Sequence, residues 1–193
     1  MARRVFFSFH YDDVKTFRAN VVRKHDLLKT REEAGFFDAS IWEDAKRHGE
    51  LSIKRLINRG LEGTSVTCVL IGSDTWSRRW VRYEILKSYD RGNKLLGVHI
   101  NSVRDKHQNT KALGPNPFKF VGITVSDSGR TINYHEKHST EWRSFADLRP
   151  QTGVNIARKY WGTGHNLGNW VPIFDWVKDD GYKNFGSWIE DLE

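Results

Sequence analysis

The chain contains a single cysteine, Cys68, so no internal disulfide can brace it. At 193 residues it needs none, because a globule of that size buries roughly 70% of the surface its unfolded chain exposes. Cys68 lies within the apolar run Val66-Thr67-Cys68-Val69-Leu70-Ile71, the setting of a small core hydrophobe rather than a reactive thiol. Long hydrophobic runs are also missing. The stretch after Met1-Ala2-Arg3-Arg4 breaks at Ser8 and His10, too short for a signal-peptide core or a membrane span. The expected location is therefore the reducing cytoplasm, with no membrane partner. No glycine-rich phosphate loop of the Walker or GxGxxG kind occurs. The histidines, His135 and His138 among them, lack metal-ligand spacing, and without a cysteine cluster no metal site is expected. There is no repeat, low-complexity tract, flexible linker, arginine-rich tail or glycine–aromatic RNA motif. The net charge of +7 and pI of 9.5 come from basic residues scattered through every segment, most with Asp or Glu nearby. That describes either a solvated basic surface or a field that draws in a dianionic small molecule. No nucleic-acid partner is expected.

Aromatic residues are abundant. Of eight tryptophans, five follow residue 140 (Trp142, Trp161, Trp170, Trp176, Trp188), and most are expected in the core, where scattered indoles normally sit.

The first hundred residues alternate strand and helix signals. Val5-Phe6-Phe7-Ser8-Phe9 is almost unbroken in hydrophobicity, the pattern of a strand buried on both faces of a parallel sheet. Asp12 or Asp13 can cap a following helix that carries Val14, Phe17, Val21 and Val22. Gly35-Phe36-Phe37 reads as a second, brief strand, and Asp38 to Glu50 as a loop. A helix with Ile53, Leu56 and Ile57 in its stripe ends near Gly60. Val66 to Gly72 is a third strand, and Ser73 to Ser77 offers caps for a helix reaching about Arg91, stopped by Gly92. Leu95 to Ile100 makes a fourth strand. Repeated strand–helix–strand units predict an α/β, doubly wound parallel sheet. Such sheets bind ligands beyond the carboxyl ends of their strands, which places the site on the loops after Phe9, Phe37 and Ile71.

Past residue 105 the rhythm changes. Gly114-Pro115-Asn116-Pro117 is turn-rich, and Val121–Val125 with Thr131–His135 flanks Ser126 to Arg130 as an antiparallel hairpin. Pro172 reads as the opening of a helix through Val177, ended by Asp179-Asp180-Gly181, and Ser187 as the cap of a last short turn. One domain is expected over 1–193, with a core of about 3–120 and a C-terminal elaboration of about 121–193.

The informative segment is Ser77-Arg78-Arg79-Trp80-Val81-Arg82-Tyr83-Glu84-Ile85-Leu86. On a helix, Val81, Ile85 and Tyr89 face the sheet, while Trp76, Trp80 and Glu84, spaced by four, share the neighbouring stripe. The helix starts at the carboxyl end of the third strand, so its early turns border the predicted crevice. Glu84 is then either a crevice carboxylate or a surface residue paired with Arg82 or Lys87.

Val5-Phe6-Phe7-Ser8-Phe9 resembles the first box of TIR domains, and Asp38 stands where these often place an acid after the second strand. Val66 to Ser73 followed by Ser77-x-x-Trp80-x-x-x-Glu84 resembles the third TIR strand and its Trp-x-x-x-Glu helix. The resemblance spans residues 3 to 101. Gly114-Pro115-Asn116-Pro117-Phe118, the hairpin and the Trp-rich end are similar to the TIR-like subgroup of bacterial Thoeris anti-phage systems. It implies a flavodoxin-like (TIR-like) sheet with an added C-terminal hairpin and a Trp-rich helical elaboration. It also implies an enzyme that cleaves NAD at the nicotinamide–ribose bond, with NAD as substrate and no cofactor. Glu84 corresponds to the catalytic carboxylate. Nicotinamide leaves neutral from a cationic pyridinium, so no general acid is required, in contrast to a glycosidase. Phe9, His10 and Tyr11 follow the first strand, where TIR enzymes contact the dinucleotide, and Asp38 joins them as a substrate-binding candidate. Trp80 either packs the ribose or nicotinamide or is a structural indole. Trp42 either stacks on a base or anchors its loop, and His10 is either a contact or a solvated imidazole.

Two departures from the family pattern stand out. The stretch Asp38-Ala39-Ser40-Ile41-Trp42-Glu43-Asp44 lacks the acidic-Pro-Gly loop of TIR–TIR contacts, and Val81 replaces a frequent Cys. The resemblance further implies a cyclic ADP-ribose isomer as product, a separate effector protein that it activates, a phage-derived trigger and a possible homo-oligomer. The Asp38–Glu50 loop is the expected gate for triggering. A non-catalytic TIR-like interaction module, a plain NAD hydrolase and a flavodoxin-like domain for another nucleotide are the rival readings.

Overall fold

The computed structural model describes residues 3–15, 18–23 and 39–192. The expected strand Gly35–Phe37, Phe17 and Asp38 lie outside the described residues.

Strands β1 (Val5–Phe9), β2 (Val66–Ile71) and β3 (Lys94–His99) pair in parallel in that order, with Val5 opposite Val66 and Val66 opposite Lys94. All six residues of β2 are buried, as a central strand covered on both faces requires. Alternation sorts the side chains onto two faces. Val5, Phe7, Cys68, Leu70, Leu96 and Val98 face one hydrophobic cluster, and Phe6, Val69, Ile71 and Leu95 face the other. Burial pushes the Cys68 thiol far above the ordinary range, so it is an inert core group.

Helices follow the strands. After β1 come α1 (Tyr11–Lys15) and α2 (Arg18–Arg23); Asp12 and Asp13 lie in the first turn of α1 rather than capping it. Val22 is buried, whereas Val21 faces solvent at 42% exposure. Next is α3 (Ala39–Arg47), where a loop was predicted. Ala45 is buried and Trp42 packs on the core, while Glu43 pairs with Lys46 at 3.0 Å on the outer face. So few apolar residues leave little periodic signal, and it is the core contact that fixes the helix. The stripe helix appears as α4 (Glu50–Leu61), burying Ile53, Ile57 and Leu61. A single turn at Thr75–Ser77 leads into α5 (Arg79–Asp90), which ends as expected before Gly92 at φ 81°.

The hairpin forms as β4 (Val121–Val125) and β5 (Thr131–His138), paired antiparallel. It is the centre of a larger sheet in the order β6-β5-β4-β8, with β6 (Glu141–Ser144) and β8 (Gly164–Asn166) outside it. A further two-residue strand, β7 (Gln151–Thr152), also pairs with β5. One hydrophobic cluster runs from Phe6 and Ile71 through Ile85 and Leu86 to Val121, Ile123, Ile132 and Tyr134. At Gly97 the parallel sheet admits Phe118 from the other half. A Cβ there would lie 2.6 Å from Ile173 Cδ1 and 3.0 Å from Phe118 Cε2, so only glycine allows the approach.

The predicted Pro172–Val177 helix is instead β9 (Ile173–Asp175), parallel to β3 as the fourth strand of the first sheet. The Gly97 amide donates to the Pro172 carbonyl (2.9 Å) and the Trp176 amide to the His99 carbonyl (2.9 Å). An open sheet edge outweighs the local helix signal, and proline is tolerated at a strand's start. Asp175 Oδ1 then accepts from the amides of Val177 and Lys178, turning the chain toward α6 (Gly181–Glu190). Ser187 lies inside α6, not at a cap. The tryptophans also differ from expectation. Trp176 is buried and Trp188 stacks on Phe174 at 4.3 Å, but Trp142, Trp161 and Trp170 are 39–47% exposed.

Candidate active site

The site is built where β1, β2 and the first turns of α5 meet. Continuing past Ile71, the chain turns sharply: the Gly72 amide donates to Thr75 Oγ1 (2.9 Å), and the Arg78 amide to the Thr75 carbonyl (3.2 Å). This launches α5 across the sheet so that Glu84 comes down on the carboxyl end of β1. Ser8 Oγ donates to Glu84 Oε2 at 2.5 Å, and the two residues are 1% and 6% exposed. Burial pushes the Glu84 carboxyl up to about 8, and the Ser8 hydrogen bond offsets only part of that. The surface-pair alternative fails, since Arg82 pairs with Glu136 and Lys87 with Asp90.

Glu84 forms the floor of a cavity of about 230 Å³. Phe7, Phe9, His10 and Tyr11 wall it from β1 and α1, Trp42 and Lys46 from α3, and Arg78, Arg79, Trp80 and Val81 from the start of α5. Phe9, His10, Tyr11, Trp42, Trp80 and Glu84 are therefore gathered around one cavity, and Asp38 alone of the expected set lies outside the described residues. Ser8 and Lys46 were not anticipated as site residues. Ser8 was visible only as part of an apolar run, and Lys46 would have stood out as Trp42 plus four had α3 been read as a helix.

The aromatic wall is fixed by charge. Trp80 meets Tyr83 edge-on at 6.0 Å and carries the Arg79 guanidinium 4.9 Å over its ring. Arg79 donates to both oxygens of Asp147 (2.8 and 2.9 Å) and to both of Glu50, so it is spent on structure. Those hydrogen bonds, with help from Lys54, hold the Asp147 carboxyl down at about 2. Arg78, by contrast, is exposed at the cavity rim. Burial and then the Arg78 charge lower the His10 imidazole from its ordinary value, so the ring is neutral at pH 7.

A doubly wound parallel sheet with a buried, raised carboxylate on the helix after β2 defines a TIR-like α/β domain. The sequence model of the Thoeris protein ThsB TIR-like domain matches residues 6–105. Over 191 residues the chain is 51% identical to the Bacillus cereus (strain MSX-D12) protein named "Putative cyclic ADP-D-ribose synthase ThsB1", covering 98% of this chain and 100% of that protein. This chain belongs to the Thoeris ThsB TIR-like family.

Proposed function

We propose that this chain cleaves NAD, releases nicotinamide and closes the ADP-ribosyl group into a cyclic ADP-ribose isomer. The carrying observation is the buried Glu84 carboxyl, held by Ser8 at the floor of an aromatic cavity. The likeness to a protein named as a cyclic ADP-D-ribose synthase gives the same direction. The C1–N bond breaks with its electron pair going to nicotinamide, and the ribosyl carbon becomes oxocarbenium-like. Glu84 supplies the opposing charge in a low-dielectric site where it acts strongly. The incoming pyridinium favours the ionised carboxyl, so NAD binding at pH 7 expels the Glu84 proton.

A cavity of about 230 Å³ is smaller than the roughly 300–1,000 Å³ of a whole-ligand site. The described residues thus enclose the nicotinamide–ribose end, and the ADP arm crosses the rim. There Arg78 and Lys46 face the pyrophosphate, with Arg78 the stronger contact because Lys46 is shared with Glu43. Arg78→Ala should raise KM for NAD about tenfold with kcat nearly unchanged, the pattern of lost uniform binding. An unaltered KM would remove Arg78 from the site.

In the cell the product is the signal for a separate effector protein in anti-phage defence. Basal turnover is low, since a constantly active enzyme would drain a shared metabolite, and a phage-derived trigger raises it by shifting α3 against the cavity or by self-association. The gate is thus a helix rather than a loop. Trp42→Ala should cost about 1–2 kcal/mol, below the ~3–5 kcal/mol of a fully buried indole, because Trp42 is only half-buried. Triggered activity should fall much further than stability. A melting curve with turnover in infected and uninfected lysates decides it; proportional losses would make Trp42 purely structural.

The test of the whole reading is NAD incubated with purified protein and with infected-cell lysate, assayed for nicotinamide and by mass spectrometry. A product isobaric with cyclic ADP-ribose is expected. Only the linear, hydrated species would leave a plain NAD hydrolase, and no nicotinamide in either preparation would leave a non-catalytic module.

A further inference from the structure

Cyclisation carries a proton balance that bond cleavage does not. Cleavage sends the electron pair to nicotinamide, which leaves neutral, and no proton moves. When a hydroxyl of the ADP arm attacks the ribosyl carbon, an oxygen lone pair forms the new bond and the oxygen is left with a surplus proton. In hydrolysis bulk water takes that proton. In a closed cavity a positioned side chain must do so.

Glu84 is poorly suited to this second task. One oxygen already accepts from Ser8, and its charge must face the ribosyl carbon until the new bond forms, so early protonation would remove the stabilisation it provides. His10 is placed differently. It lines the same cavity two residues beyond Ser8. It is partly exposed where Glu84 is buried, nearer the rim over which the ADP arm enters. Asp12 Oδ2 lies 3.8 Å from Nδ1, close enough to stabilise the ring electrostatically once it carries a second proton. The charges acting on the ring are Arg78, which opposes protonation, and Asp12, Asp13 and Asp74, which favour it. Such a ring is unprotonated before the reaction and stabilised by three carboxylates once it has taken a proton.

We infer that His10 accepts the proton lost by the attacking atom as the ADP-ribosyl group closes, a role separate from that of Glu84 in cleavage. The inference rests on the NAD-cleaving reading above. The test compares wild type, His10→Asn and His10→Ala for nicotinamide released and for the ratio of cyclic to linear product. The cyclic-to-linear ratio, taken per nicotinamide released, should fall about tenfold or more, a loss in the range of general-base removal. Added imidazole should restore the cyclic fraction in His10→Ala. His10→Asn keeps a polar side chain of similar reach and carries the test if the alanine variant misfolds. A wild-type ratio in His10→Asn, whether or not release falls, would overturn the inference. Absence of nicotinamide from wild type would instead overturn the NAD reading, and a purely linear wild-type product would overturn cyclisation itself.

Discussion

Glu84→Gln is expected to lower nicotinamide release by a factor on the order of 10²–10³ and, above pH 8, to raise the melting temperature. Gln keeps the shape and can still accept from Ser8, but it cannot carry the charge that the ribosyl cation needs. The stability effect follows from the carboxyl's position at about 8 in the folded chain against an ordinary 4.5. Between those values the folded state holds a proton that the unfolded state has lost, so stability falls as pH rises. The contribution is intact below pH 4.5, declines through the window and levels off above 8. A shift of that size corresponds to about 4–5 kcal/mol, and at this chain length roughly 8–20 °C. Wild type and Glu84→Gln should therefore melt together near pH 5 and diverge by pH 9, with the variant higher. Curves that stay parallel would mean that Glu84 is not held neutral. The same carboxyl should give kcat/KM a rising limb with pH up to about 8, since that parameter reports the free enzyme. Near-normal turnover in Glu84→Gln would remove Glu84 from the chemistry.

The legible parts of this fold are those with a local signal. β1, β2 and β3 are largely apolar runs, and α4 and α5 carry regular stripes, so the parallel sheet and the placement of Glu84 could be read from the chain alone. The cavity walls followed, because Phe9, His10, Tyr11 and Trp80 adjoin those elements directly. What escaped is held by pairing rather than by composition. β7 and β8 are two and three residues long and largely polar, too short for any periodicity, and β9 exists because β3 offers an open edge. The exposed indoles escaped for a different reason. Trp161 donates to the Ile156 carbonyl at 2.8 Å while its ring occupies the space where a Cβ on Gly129 would lie. Aromatic content alone does not distinguish such a surface clamp from a core residue. Ser8 illustrates the limit at the site: its role appears only when Glu84, 76 residues away in sequence, is brought above it.

The second large effect lies outside the cavity, at the joint between the two sheets. Arg82, two residues before Glu84 on α5, is 6% exposed and donates from Nη1 to Glu136 Oε2 on β5 at 2.8 Å. It also donates from Nε to the Trp76 carbonyl at 3.3 Å and lies over the Phe120 ring at 5.8 Å. The antiparallel half thus holds α5 by a largely dehydrated charge pair. Glu136→Leu would strand that guanidinium, and breaking such a pair costs about 3 kcal/mol or more, a fall of roughly 6–12 °C in melting temperature at this size. The effect belongs to the stranded charge rather than to a net favourable bridge, so Arg82→Met combined with Glu136→Leu should recover most of the loss. A double-mutant cycle read by thermal melts, with Arg82→Met alone as the fourth corner, measures the coupling directly. His138 Nε2 lies 3.1 Å from the other Glu136 oxygen on the exposed side and does not reach Arg82, so it cannot substitute for the lost carboxylate. Glu136→Leu should also reduce nicotinamide release, because an unanchored first half of α5 no longer sets Glu84 over Ser8, and the double variant should regain it. A Glu136→Leu protein that melts within a degree of wild type would show that the helix is positioned by the apolar cluster alone.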